Sequence, residues 1–245
     1  MTEESYERKI RQLSIETYNL ISAGEIVDRP SSALKELIEN SLDARATKID
    51  IEIESGGKHL LRVKDNGQGI NREDLRLALA SHATSKIRNH EDLLSIRTLG
   101  FRGEALASIS AVSRFALTSN IHEEPAEGVS IKINQIINNE LFIEPSPHYR
   151  GTTVEVRDLF FNTPARKKFL RTDRTEFLKL EEVIRRLALA SPSVSFSLSH
   201  NGRLVRDFPK GNSIDRAGAV LGGSFCNNCI EIEEVRAEIK ATGWI

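Results

Sequence analysis

Pro30-Ser31-Ser32-Ala33-Leu34-Lys35-Glu36-Leu37-Ile38-Glu39-Asn40-Ser41-Leu42-Asp43-Ala44 has two faces. Asp28-Arg29-Pro30 supplies a capping residue and an N-terminal proline, so the stretch is expected to be helical to about Asp43. Residues three, four and seven apart share a helix side, which gathers Leu34, Leu37, Ile38 and Leu42 on one face and Glu36, Glu39, Asn40 and Asp43 on the other. The plain reading is a solvated polar face over a core. The chemical reading notes that a carboxylate one turn before an amide suits metal-assisted hydrolysis, with the Asn40 oxygen on Mg²⁺ and Glu36 polarising water.

Working outward, a short helix around Leu20, Ile21 and Ala23 is expected to stop at Gly24. Residues 1 to 14 are charge-laden, lack a periodic apolar face up to residue 12 and read as a mobile arm. Downstream, Ile49, Ile51 and Ile53 alternate with polar residues, Gly56-Gly57 turns the chain, and Leu60 to Lys64 returns as the second strand of a hairpin. A helical stretch is expected from Asn71 to Ala80, a polar segment from Ser81 to Thr98, and a helix from Ala105 to Val112. Strands are expected at Arg114 to Ser119, Val129 to Ile137 and Thr152 to Val156, followed by a strong helix from Glu176 to Leu189. The fold class is therefore α+β, a two-layer sandwich of helices on a mostly antiparallel sheet. Ser191-Pro192 reads as the end of this domain, 15 to 192, with 193 to 245 opening a second, incomplete α/β domain whose strands lie at Ser195 to Leu198, Leu204 to Phe208 and Ile230 to Ile245.

Composition narrows the class. The 245 residues hold 39% hydrophobic and 28% charged side chains, near the globular norm, which excludes fibrous and wholly disordered chains. Thirty-four basic and 35 acidic residues nearly cancel, so contact with nucleic acid requires a local patch. One surplus lies across Arg157 to Arg186, with nine Lys or Arg against five Asp or Glu. Two cysteines, Cys226 and Cys229, are too few for a disulfide framework, and their spacing reads as incidental. No secretion signal or run of membrane-spanning length is present, so an intracellular location, cytoplasm or nucleoid if bacterial, and no membrane partner are expected.

Two glycine-rich segments could serve a nucleotide. Asp65-Asn66-Gly67-Gln68-Gly69 follows a strand and precedes helical sequence, so it opens a strand-to-helix loop in which an acid could accept a hydrogen bond from an adenine amino group. An ordinary turn explains it equally well. Gly100-Phe101-Arg102-Gly103-Glu104-Ala105-Leu106 places two glycines before a helix, where free N–H groups suit phosphate. The Walker pattern and the dinucleotide glycine triplet are both missing.

Residues 36–44, Asp65 to Ile70, His82-Ala83-Thr84-Ser85-Lys86, Gly100 to Ile109 and Gly151-Thr152-Thr153-Val154-Glu155-Val156 together resemble the ordered motifs of the MutL family. This is the DNA mismatch repair branch of the ATPase superfamily shared by gyrase B, heat-shock chaperones and histidine kinases. Ala23 to Pro30 and Phe160 to Arg166 resemble that branch in particular. The resemblance implies a Bergerat-type ATPase fold binding ATP and Mg²⁺. It implies Glu36 as general base, Asn40 as magnesium ligand, Asp65 reading adenine with Gly69 beside the base, and Thr152 in support. Gly100, Phe101, Arg102, Gly103, Glu104, Ala105 and Leu106 would meet the triphosphate, under a lid that includes Ala83, Thr84, Ser85 and Lys86. Slow hydrolysis would gate homodimerisation on ATP binding, weak sequence-independent DNA contact, and engagement of mismatch-recognition and downstream repair proteins. The rivals are a gyrase-like or kinase-like member of the superfamily and a non-enzymatic nucleotide-gated clamp.

Overall fold

The computed structural model describes residues 10, 12–87, 91–92, 98–133, 141–237 and 239–245. Most of the arm, the middle of the polar segment and the second half of the strand expected to reach Ile137 fall outside the described residues.

Two helices open the fold, α1 (Ile15–Ile26) and α2 (Pro30–Asp43). Ser14 caps α1 by accepting the Thr17 N–H, and α1 runs through Gly24 instead of stopping there. That glycine faces the Arg166 guanidinium, which donates to the Leu20 carbonyl oxygen at 3.0 Å. Alpha-helix propensity disfavours glycine by about 1 kcal/mol, and here a Cβ would have to push the Arg166 guanidinium aside. In α2 the expected face is buried at Leu34, Leu37 and Ile38, joined by Ala33, while Leu42 is only partly buried against the core.

The hairpin of β1 (Lys48–Glu54) and β2 (Leu60–Asp65) pairs Ile51 with Val63. Beyond it lie α3 (Leu75–Ala78), α4 (Ala105–Ala111), β3 (Arg114–Asn120), β4 (Val129–Ile133), β5 (Leu141–Pro145) and β6 (Gly151–Arg157). The helix expected over 71–80 is thus a single turn, because Leu75 and Leu79 alone give it a core contact. Next come α5 (Pro164–Phe169), α6 (Asp173–Ala190), β7 (Ser195–His200), β8 (Arg203–Phe208), α7 (Ser213–Leu221), α8 (Gly223–Asn228), β9 (Glu231–Arg236) and β10 (Ile239–Trp244).

Eight strands form one sheet in the order β5-β4-β3-β6-β2-β1-β7-β8. All neighbours are antiparallel except β1 and β7, which run parallel with Ile51 beside Leu198. The strands expected to begin a second domain at residue 195 therefore extend the first sheet. The reason is burial: Phe196, Leu198, Phe208 and Val220 share one apolar cluster with Leu34, Ile51, Ile109 and Ile184. Only β9 and β10 stand apart, as a two-stranded sheet with Val235 and Ile239 exposed.

The helices bury one face of the large sheet. On the other, Arg62 bridges Glu155, at 3.1 Å, and Glu52 across three strands, a charged ladder suited to water. The expected α+β sandwich is the observed architecture, and it brings the end of β2, the polar face of α2 and the start of α4 to one rim.

Candidate functional site

At one end of the rim, Asp65 closes β2 and is 7% exposed. Its Oδ1 accepts the Gly67 N–H at 2.8 Å and the Thr152 N–H at 3.3 Å, and its Oδ2 accepts the Ser41 hydroxyl at 2.8 Å. Burial raises the carboxyl pKa above its ordinary value, and these three donors offset only part of that rise. Thr152 sits opposite Asp65 on β6 and opposite Ser119 on β3. The Ser119 hydroxyl donates to the Gly151 carbonyl oxygen and accepts the Ile70 N–H, so at 2.9 Å it is Thr152 that donates to Ser119. Gly69 adopts φ 75°, and a Cβ there would strike the Asn120 carbonyl oxygen. Glycine is required on both counts.

At the other end, α2 presents Glu36 and Asn40 one turn apart. Burial raises the Glu36 pKa, opposed by the Lys35 ammonium at 3.7 Å. Lys35 also bonds Glu39 at 2.9 Å, which leaves Glu36 the freer of the two carboxylates. The Asn40 Oδ1 accepts from the Lys86 Nζ at 2.8 Å, and the same ammonium donates to Asp43 Oδ2 at 2.6 Å. Asp43 further accepts the N–H groups of Leu99, at 2.9 Å, and Gly100, at 3.2 Å.

Residues 83–86 and 100–106 are brought together. Gly103 takes φ 65°, and a Cβ on it would strike the Ala83 carbonyl oxygen, so the two backbones touch. Thr84 folds its own turn by accepting the Lys86 N–H at 3.1 Å, while Ser85 is exposed. Glu104 precedes α4, lies 3.1 Å from His82 Nδ1 and accepts the Ser108 N–H; Ala105 and Leu106 begin the helix. Arg102 is exposed beside the Phe101 ring, 5.9 Å from its centroid.

Contacts thus chain the candidate nucleotide-site segments together: Thr152 to Asp65, Asp65 to α2 through Ser41, and α2 to Lys86, Leu99 and Gly100 through Asn40 and Asp43. Three supporting residues were not assigned site roles. Ser41 and Asp43 lie within the motif on α2, where their spacing from Asn40 was the available signal. Ser119 carries no sequence signal, because only strand register places it under Thr152.

Residues 28–156 match the family of histidine kinase-, DNA gyrase B- and HSP90-like ATPases. The chain is 52% identical over 242 residues to the DNA mismatch repair protein MutL of Cellvibrio japonicus, covering 97% of this chain. It is 51% identical over 240 residues to that of Haemophilus influenzae, covering 96% of this chain. In both cases the chain spans 38% of the curated relative's length. It also resembles the solved structure of the Aquifex aeolicus MutL ATPase domain complexed with ADP, with TM-score 0.68 and 36% identity, covering 85% of this chain and 73% of that one. Together with the rim geometry, these likenesses show that the chain belongs to the histidine kinase-, DNA gyrase B- and HSP90-like ATPase family, in its MutL branch, with the Bergerat-type fold.

Proposed function

We propose that the chain binds ATP with Mg²⁺ along this rim and hydrolyses it slowly, and that the nucleotide controls self-association and DNA engagement in mismatch repair. The observation that carries the reading is the buried Asp65 carboxylate. Its Oδ2 has one protein donor, Ser41, so a further acceptor site remains for an adenine amino group. The ADP named with the Aquifex relative supports a nucleotide of this class here.

The donor set also suits magnesium. Asn40 offers a hard amide oxygen, and that oxygen already accepts a cation, the Lys86 ammonium. Asn40 would hold the ion together with phosphate oxygens and water. When bound, the ion would neutralise phosphate charge. Glu36 would take a proton from the attacking water: burial raises its pKa and so its basicity, and the Lys35 ammonium opposes part of that rise. Gly69 and Thr152 would flank the base. Residues 100–106 would border the triphosphate, with Ala83, Thr84, Ser85 and Lys86 as the near part of a lid.

The wider role rests on surface and relatives. Lys167, Lys168, Arg171 and Arg174 form an exposed basic run around α5, which could meet DNA phosphates without reading sequence. The relatives are DNA mismatch repair proteins, and on that likeness the reading extends to homodimerisation on ATP binding, docking of mismatch-recognition and downstream repair proteins, and an intracellular site of action. No described helix is long and apolar enough to cross a membrane.

Phosphate release and fluorescent-nucleotide binding test the reading. Magnesium-dependent ATP binding with slow release of phosphate is expected; absence of nucleotide binding at every magnesium concentration would overturn it. Light scattering with ADP and with a non-hydrolysable ATP analogue, repeated after deleting residues 1 to 14, tests the gate. A dimer seen only with the analogue and lost on deletion is expected, whereas a monomer throughout refutes gating by this region.

A further inference from the structure

Lys86, assigned above to the near part of the lid, also forms a joint with Asp43 that the proposed reaction leaves without a role. The Lys86 side chain is 19% exposed and that of Asp43 8%, so the ion pair is mostly withdrawn from water. Asp43 commits both oxygens: Oδ1 to the Leu99 N–H, and Oδ2 to Gly100 N–H and the Lys86 ammonium. One carboxylate on α2 therefore ties the beginning of the segment that follows Ser81 to its end. Asn40, one turn earlier, offers its amide oxygen to the same ammonium. A Cβ on Gly100 would sit 3.4 Å from Lys86 Nζ, so the ammonium fits closely against the triphosphate-type loop.

We propose that the Lys86 ammonium is a built-in place-holder for the divalent cation, seated on Asn40 and Asp43 in the nucleotide-free chain, and that magnesium nucleotide must displace it. The inference rests on the reading of Asn40 as the magnesium ligand. Its physical basis is exclusion. An ammonium and a divalent ion on one amide oxygen would lie within a few ångströms of each other, and their repulsion in a partly buried site rules out sharing. Magnesium also demands near-octahedral geometry, which a second donor on that oxygen would distort. The four-carbon stem of lysine lets the ammonium swing away without moving the backbone of α2.

Displacement has a directional consequence. Leu99 and Gly100 remain bonded to Asp43 through their N–H groups, whereas residues 83–86 lose their tether to α2. Filling the cation site and freeing the near part of the lid then become one event. Their coupling equals the ammonium's preference for its seat on Asn40 and Asp43.

The test titrates Mg²⁺ against binding of a fluorescent ADP analogue by the wild-type chain, Lys86→Met and Lys86→Arg. With no ammonium to evict, Lys86→Met is expected to lower the magnesium concentration at half-saturation roughly tenfold, since a charged hydrogen bond of this kind is lost. Lys86→Arg restores the high requirement. A half-saturation point unchanged or raised in Lys86→Met, with nucleotide still bound, overturns the proposal and leaves Lys86 with its lid role alone. Hydrogen exchange without nucleotide gives a second arm: faster exchange of residues 83–86 in Lys86→Met, with Leu99 and Gly100 unchanged, is expected, and no change at 83–86 overturns the joint. If no chain binds nucleotide at any magnesium concentration, the reading of the site fails and the place-holder role with it, while the exchange arm reports on the joint alone.

Discussion

Among the described residues, Arg216 and Lys86 are cations in protected surroundings that are held in opposite ways. Arg216 is 1% exposed and has no carboxylate partner among the described residues. It donates to six backbone carbonyl oxygens: Ala188 at 2.5 Å, Val194 at 2.7 Å, Pro209 at 2.9 Å, Phe208 at 3.2 Å, and Ser191 and Pro192 at 3.3 Å. The rings of Phe196 and Phe208 lie 5.7 and 6.0 Å from it. Lys86 instead leans on one carboxylate and one amide at the rim. A rigid guanidinium surrounded by fixed carbonyls knits the end of α6 to β7 and β8 and has no route to exchange. A flexible ammonium on two side chains at an open edge can leave. Built-in charge is structural in the first place and exchangeable in the second because the acceptors are backbone in one and side chain in the other.

The largest expected effect lies at the exchangeable end. Glu36→Ala is predicted to keep magnesium nucleotide binding and lose roughly 10²- to 10⁴-fold in turnover, the usual share of a general base. Parallel losses of binding and turnover, measured by nucleotide titration and phosphate release, would remove Glu36 from that role. Asn40→Ala, by contrast, is expected to weaken nucleotide binding as well as turnover, and affinity equal to wild type would break the assignment.

The next effect reads the structural cation. Arg216→Met leaves six carbonyl oxygens without their shared donor and is predicted to cost about 3 kcal/mol. For a chain of this size that lowers Tm by roughly 6–12 °C. Lys86→Met is predicted to cost about 1.5 kcal/mol, because one charged hydrogen-bonded joint is lost while Asp43 keeps the Leu99 and Gly100 N–H donors. Thermal unfolding of both variants side by side sharpens the comparison; equal losses would erase the distinction between the two cations.

The smallest effect is a pH slope. Burial raises the Asp65 carboxyl above its ordinary 3.8, so the folded chain binds that proton more readily than the unfolded one. This contribution to stability therefore grows as pH falls through the folded pKa and is lost as pH rises, a negative slope in the window just above 3.8. Asp65→Asn keeps an oxygen for the Gly67 and Thr152 N–H groups, so the fold survives while that slope flattens and nucleotide affinity drops. Identical pH dependence in the two chains, followed by chemical denaturation, would show that Asp65 titrates as a free carboxylate.

What the sequence determined by itself was local. The two faces of α2, the β1–β2 hairpin and the glycines at 67, 69, 100 and 103 are set by helical spacing, strand alternation and turn chemistry within a few residues, and all were legible. The candidate site residues, too, were picked out locally, by five short motifs at 36–44, 65–70, 82–86, 100–109 and 151–156. The rest needed tertiary structure. The edge strand β5 follows residues that give no clear alternation, and α7 and α8 are short helices whose apolar sides mean little until Val220 meets the core. The strand at Ser195–His200 looked like the opening of a new domain, since nothing in its own residues specifies a parallel neighbour 147 positions earlier, as in the pairing of Asp50 with Ser197. Ser119 beneath Thr152 depends on register between β3 and β6, and the meeting of Lys86 with Asn40 and Asp43 depends on where a loop lands on a helix. Contacts between distant segments leave no periodic trace in sequence, so only the folded chain could decide which charges are permanent and which can be exchanged.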